Sequence, residues 1–165
     1  MTKRWLNARE ERSWRALQFM QMRLEGELAR QLASDSGLSY PDYLVLVALT
    51  DRPDGRTRLF ELGHVLGWEK SRLSHQVGRM ADRGLVKKEP CDTDRRGSFV
   101  AITRRGHRAI EAAAPGHARA VRRLFVDLLT PSQLDAIGKA AEIVLASFDE
   151  PVELSSAPPT TRKMH

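Results

Sequence analysis

The sequence predicts a mainly α-helical fold carrying one small β-hairpin, and three observations predict it. Apolar residues recur at three- and four-residue spacing along most of the chain. Two short strand-like stretches, LVKKEP and SFVAIT, flank a charged loop, CDTDRRG. Turn and stop signals at Gly37, at Arg52 to Arg56, at Gly67 and at Gly84 separate the segments. At 165 residues the chain has room for one compact domain, or a small domain flanked by helices, and is too short for two independent cores.

The first helix is read from Trp14, Leu17, Gln21, Leu24, Leu28 and Leu32, with Gly37 as its stop. In LSYPDYLVLVALTD, Ser39 can cap a second helix, Pro41 fits its first turn, and Asp42 completes a capping-box pattern. Leu44 to Leu49 is apolar on every side, so this helix should be buried. RPDGR, Arg52 to Arg56, reads as a turn. Leu59, Phe60, Leu62 and Leu66 form a third, short helix that ends near Gly67. SRLSHQVGRMADRGLV follows at once, with Leu73, Val77 and Met80 on one face and Ser71, His75, Gly78 and Asp82 opposite. Two short helices across a tight glycine-containing turn, the second basic outside, match a helix-turn-helix. With the charged hairpin added, this core is a winged helix.

Two helices close the chain. Beyond the cap Thr103, positions Ile110, Ala114, His117, Val121, Leu124 and Leu128 alternate four and three apart, the pattern of helix-on-helix packing. Pro115-Gly116 should kink or interrupt that helix. Thr130 to Gln133 is a capping box for the last helix, whose stripe is Leu134, Ile137, Ala141, Val144 and Phe148. From Asp149 onward periodicity is lost, which predicts a disordered tail over 150–165.

Composition narrows the function. No apolar run approaches the ~20 residues of a membrane span, and MTKRWLNAREERSW has no apolar secretory region, so a soluble cytoplasmic protein is expected. The single cysteine, Cys91, excludes an internal disulfide and a cysteine-rich metal site. The net charge of +6 is concentrated: residues 68–108 hold 11 Lys/Arg against 5 Asp/Glu, and the rest of the chain holds 16 of each. Such local excess is the electrostatic footprint of a nucleic-acid site. The outer face of SRLSHQVGRMADRGLV is small and basic, as a helix entering a major groove must be, and Gly78 costs up to ~1 kcal/mol of helix propensity that a merely solvated face has no reason to accept. A solvated amphipathic helix is the alternative for this segment alone. Arg95 and Arg96 at a hairpin tip are placed to enter a minor groove, with Asp94 paired to an arginine and fixing its aim.

These residues resemble the MarR family of bacterial transcription regulators. The resemblance is carried by SRLSHQVGRMADRGLV followed by DRRGSFVAIT, Asp94 to Thr103, which is similar to the family's recognition helix, its RGLV and its wing signature D-x-R-x-x-x-V-x-L-T, with Ile102 in place of leucine. It implies a homodimer joined through residues 1–38 and 104–149, with a winged lobe over 39–103 carrying Lys70, Ser71, Arg72, Ser74, His75, Arg79, Asp94, Arg95 and Arg96 to double-stranded DNA. The implied operator is pseudo-palindromic, with half-sites about one helical turn, ~10 bp, apart. A repressor is expected, released by a small, often aromatic and anionic, effector in a crevice between the dimerisation helices and the DNA-binding lobe. Trp14, Met20 and Tyr43, with Arg15 as anion partner, are the candidate effector contacts, although such residues at helical spacing are more often core. Arg72 and His75 stand where relatives commonly have a small hydroxyl residue and an arginine, so operator sequence does not transfer.

Other constellations are weaker. Redox-sensing relatives carry their cysteine in the first helix, which here has none, so Cys91 reads as a packed or idle thiol. His107 and Glu111 share a helix face without a third ligand and read as a solvated pair, so no metal or cofactor is expected. Ser74 and His75 point about 100° apart on a helix and lack a nucleophile motif, so no enzyme is expected. The rival of another class is a winged-helix protein-interaction module whose basic face docks an acidic partner.

Overall fold

The computed structural model describes residues 5–90 and 98–148. Cys91, the loop residues Asp94, Arg95 and Arg96, and the 150–165 tail lie outside the described residues. Among the described residues no helix is long and apolar enough to cross a membrane.

Helix α1 (Ala8–Ser36) is capped by Asn7, whose side chain accepts from the amides of Arg9 and Glu10 at 2.9 and 3.0 Å, and it ends at Gly37. Helix α2 (Tyr40–Thr50) begins with the expected capping box: Ser39 Oγ accepts from the Asp42 amide at 3.1 Å, and Asp42 Oδ2 accepts from the Ser39 amide at 2.9 Å. Strand β1 (Arg56–Arg58), helix α3 (Leu59–Leu66), helix α4 (Lys70–Asp82), strands β2 (Val86–Pro90) and β3 (Ser98–Ile102), and helices α5 (Arg104–Leu124) and α6 (Pro131–Leu145) follow in order.

The sheet corrects the reading of Arg52 to Arg56 as a plain turn followed by a two-stranded hairpin. Its order is β1-β3-β2, antiparallel throughout, with Thr57 and Lys88 both opposite Val100. Strand β1 is only three residues long, with Thr57 buried between two half-buried arginines, so it carries no readable alternation. The core runs from Leu32 through Val45, Leu46, Leu49 and Leu62 to Leu73, Val77 and Met80, and closes on Val86, Val100, Ile110 and Ala113. Every helix from α1 to α5 contributes, and the basic helix α4 is pinned by its inward face.

Of the two outcomes expected at Pro115-Gly116, interruption is ruled out: α5 continues through Pro115 as one helix. Pro115 sits on the exposed side, while Gly106, Ile110, Ala113 and Ala120 are buried on the other, so packing on both sides of the proline holds the helix together. The seam is thus shifted from the one expected: Ala114, Val121 and Leu124 flank it half-buried, and Leu128 is exposed. The stripe expected on α6 exists, but the described residues do not bury it: α6 has no buried residue, with Ile137 37% and Val144 56% exposed. Trp14, Leu17, Phe19 and Met22 on the first half of α1 are also exposed.

His117 of α5 packs between the α2 tyrosines, 4.3 Å from Tyr43 and 6.4 Å from Tyr40, centroid to centroid. Its Nδ1 is buried without a hydrogen-bond partner among the described residues. Burial lowers the imidazole pKa, and it raises both tyrosine hydroxyls, which stay neutral in the acid range and offer no counter-charge. A group whose folded pKa is depressed binds fewer protons in the folded chain than in the unfolded one. Stability should therefore hold above the ordinary imidazole pKa of about 6.5 and fall as pH drops below it toward the folded value. Denaturation between pH 8 and pH 5 is expected to show this acid-side loss in the native chain and a shallower one in His117→Gln.

Candidate nucleic-acid interface

The interface is built from α3, the turn after it and α4. Gly67 closes α3 in the left-handed region, at φ 61°, which lets the Trp68 amide turn back to the Gly63 carbonyl at 2.9 Å. That reversal starts α4 at once. Among the described residues no side chain caps α4, which leaves the amides of its first turn without an intrahelical acceptor. Leu73, Val77 and Met80 point inward as the spacing predicts; Lys70, Ser71, Arg72, His75 and Arg79 are exposed, and Ser74 is half-buried. The structure thus brings the helical half of the expected interface together on one face. The loop half, Asp94, Arg95 and Arg96, is outside the described residues.

The cations of α4 are not equivalent. Arg79 donates to Gln76 Oε1. Gln76 is buried, and its Nε2 donates to Asp42 Oδ1 at 2.7 Å. Arg83 donates to Asp42 Oδ2 at 2.6 Å and to the Gly37 carbonyl at 3.1 Å. Asp42, 2% exposed, is the acceptor on which this network converges, and it ties α4 to the start of α2. A cleft of about 480 Å³ opens beside it, between Ala33, Gly37 and Leu38 on one side and Gln76, Arg79 and Arg83 on the other. On the sheet, Lys87 pairs with Glu89 at 2.6 Å, and Arg56 reaches Glu89 at 3.5 Å while lying 4.2 Å over the Phe99 ring. By contrast, Arg72 has no carboxylate partner among the described residues; its guanidinium lies 4.4 Å over the Trp68 ring.

Sequence reasoning missed Gln76, Arg83 and Trp68, and saw only the capping role of Asp42. The place of Trp68 just ahead of the α4 N-cap, four residues before Arg72, was the one available local signal. The candidate effector contacts are scattered: Trp14 is exposed, Arg15 is an exposed partner of Glu11 at 3.6 Å, Met20 is half-buried, and Tyr43 is buried against His117. None of the four lines the cleft beside Asp42.

With this geometry in hand, comparison with known proteins is informative. A MarR family model matches residues 36–97, from the end of α1 to the hairpin loop. The chain is 38% identical to Sco3205, a MarR family transcriptional regulator from Streptomyces coelicolor whose structure was solved in complex with DNA; the match has a TM-score of 0.83 and covers 89% of this chain and 92% of that one. It is 37% identical to AbsC, a MarR family transcriptional regulator from the same organism, with a TM-score of 0.78 over 86% of this chain and 95% of that one. It is also 34% identical over 79 residues to the transcriptional regulator HosA of Escherichia coli, covering 47% of this chain; the match spans about half, 56%, of that curated relative's length. Identity of this degree across more than nine-tenths of two solved relatives, on the same mostly helical frame with a small antiparallel sheet, establishes that the chain belongs to the MarR family.

Proposed function

We propose that this chain is a dimeric, sequence-specific regulator of transcription that binds double-stranded DNA through α4 and the hairpin, and a repressor whose hold on DNA is loosened by a small anionic ligand. The observation that carries the reading is the outer face of α4. Its uncapped first turn offers free amides and the positive end of a helix dipole to a phosphate, beside exposed Lys70, Ser71, Arg72 and His75. Among the described residues a Cβ built on Gly78 would meet only the end of the Lys88 side chain, at 3.9 Å, so none of them requires glycine there, and a bare backbone suits close approach to a duplex. The relative solved with DNA supports the partner class.

A second copy supplies what the terminal helices lack: the exposed apolar faces of α1 and α6 are suited to each other's company across a two-fold axis. Ligand response is supported by the cleft beside Asp42, which joins the end of α1 to the reading helix and presents Arg79 and Arg83. The test is a mobility-shift titration across salt concentrations on an operator selected from random duplexes, repeated with small aromatic acids. Log affinity should fall linearly with log salt, by about 0.9 per phosphate contact, and Arg96→Ala should weaken binding and reduce the slope by about that amount while leaving the dimer intact. A chain that is monomeric at micromolar concentration, or whose binding ignores salt, would refute the reading; unchanged affinity in Arg96→Ala would refute the placement of the hairpin.

A further inference from the structure

The arginines of α4 and its C-cap fall into two groups. Arg79 and Arg83 are turned back into the protein, onto Gln76, Asp42 and the Gly37 carbonyl, and hold the helix in place. Arg72 is held differently, by an aromatic face. Its guanidinium carbon lies 4.4 Å from the Trp68 ring centroid, and no carboxylate pairs with it among the described residues. Stacking occupies the faces of a guanidinium and leaves its N–H donors free at the edge, in the plane of the fork.

The platform is itself rigid. Trp68 is half-buried against the core, and its backbone is fixed by the bond from its amide to the Gly63 carbonyl after left-handed Gly67. Rigidity therefore passes from the end of α3 to the indole and from the indole to the guanidinium. Arg72 is also the third residue of α4, in the turn where a recognition helix meets base edges.

On the duplex-binding reading above, we infer that Trp68 is a positioning residue that presents Arg72 as a guanine-reading fork, so that this pair specifies one base pair in each half-site. Two parallel donors match the O6 and N7 acceptors of guanine in the major groove; adenine puts a donor where one acceptor is needed. A flexible arginine would supply the same charge without the same discrimination.

The experiment is selection from a random duplex pool by the full chain and by Arg72→Lys, Arg72→Ala, Trp68→Phe and Trp68→Leu, followed by competition against single-base-pair changes in the selected operator. The native chain should select guanine at one fixed place in each half-site. Arg72→Lys keeps the charge but not the fork, and should lose about tenfold or more of the discrimination at that place, leaving the other positions intact. Trp68→Leu should lose most of the same preference and Trp68→Phe should retain it; Trp68→Met replaces the leucine variant if that one does not fold. Full guanine discrimination in Arg72→Lys overturns the proposal, as does a folded leucine or methionine variant that weakens every position alike or none. A native chain that selects no sequence overturns the duplex-binding reading, and this proposal with it.

Discussion

Gly106→Ala is expected to cost about 3 kcal/mol or more of stability, an unusually large effect for one methyl group. Gly106 lies buried in the first turn of α5, where its amide donates to the Thr103 cap at 3.0 Å. A Cβ there would stand 2.2 Å from the Leu85 carbonyl oxygen and 2.8 Å from Ile102 Cγ1. That oxygen has little room to move, because it accepts from the Thr103 amide at 3.1 Å, and Thr103 Oγ1 reaches the Gly84 carbonyl at 2.6 Å. Relief therefore means lifting α5 off the start of β2, which separates a terminal helix from the winged lobe. For a chain of this size the loss corresponds to a fall in Tm of about 6–12 °C, read at fixed protein concentration because the Tm of any self-associating chain depends on it. Gly138→Ala is the matched control: α6 leaves open space around that position, so the change should be neutral or stabilising by up to ~1 kcal/mol. A loss below about 1 kcal/mol in Gly106→Ala would show that α5 can slide on the hairpin.

What was legible in the sequence was what local rules govern. Ser39 with Asp42 and Thr130 with Gln133 are capping boxes by spacing alone, and both form. Leu73, Val77 and Met80 share a face because 3.6 residues make a turn, and all three are buried. What was not legible depends on distance along the chain. Gln76 and Arg83 meet Asp42 across 34 and 41 residues, and no periodicity announces a buried polar network. The seam of α5 slipped from Ala114 and Val121 to Ala113 and Ala120 because the choice between adjacent small residues is made by what α1 and α2 bring against them. Periodicity put a stripe on α6, but pattern alone cannot say whether the chain itself covers it, and the described residues do not bury it. The four candidate effector contacts do not come together in the single chain for a related reason: Trp14 and Tyr43 have similar chemistry, yet one is exposed and the other is buried against His117.

Asp42→Ala is expected to destabilise the chain by about 3 kcal/mol and to weaken duplex binding with it, because the change strips a buried site of its only charged acceptor among the described residues. Gln76 Nε2 would be left buried without the oxygen it reaches at 2.7 Å, and the Ser39 amide would lose its capping partner. Arg83→Ala removes the other end of the same ion pair and should cost much less, about 1–2 kcal/mol. The asymmetry follows from exposure: the Arg83 side chain is 44% exposed and water can take its place, whereas Asp42 keeps the buried Gln76 amide and the Ser39 backbone amide as donors when Arg83 is gone. Denaturant titration of the two variants and their double mutant gives the coupling directly. Duplex affinity adds a second axis: on the proposed function, α4 is held to α2 through these bonds, and a loosened α4 would have to be reordered each time it entered a groove. Equal losses for the two single changes would mean that surface attraction, and not hydrogen bonding inside the protein, fixes the pose of α4.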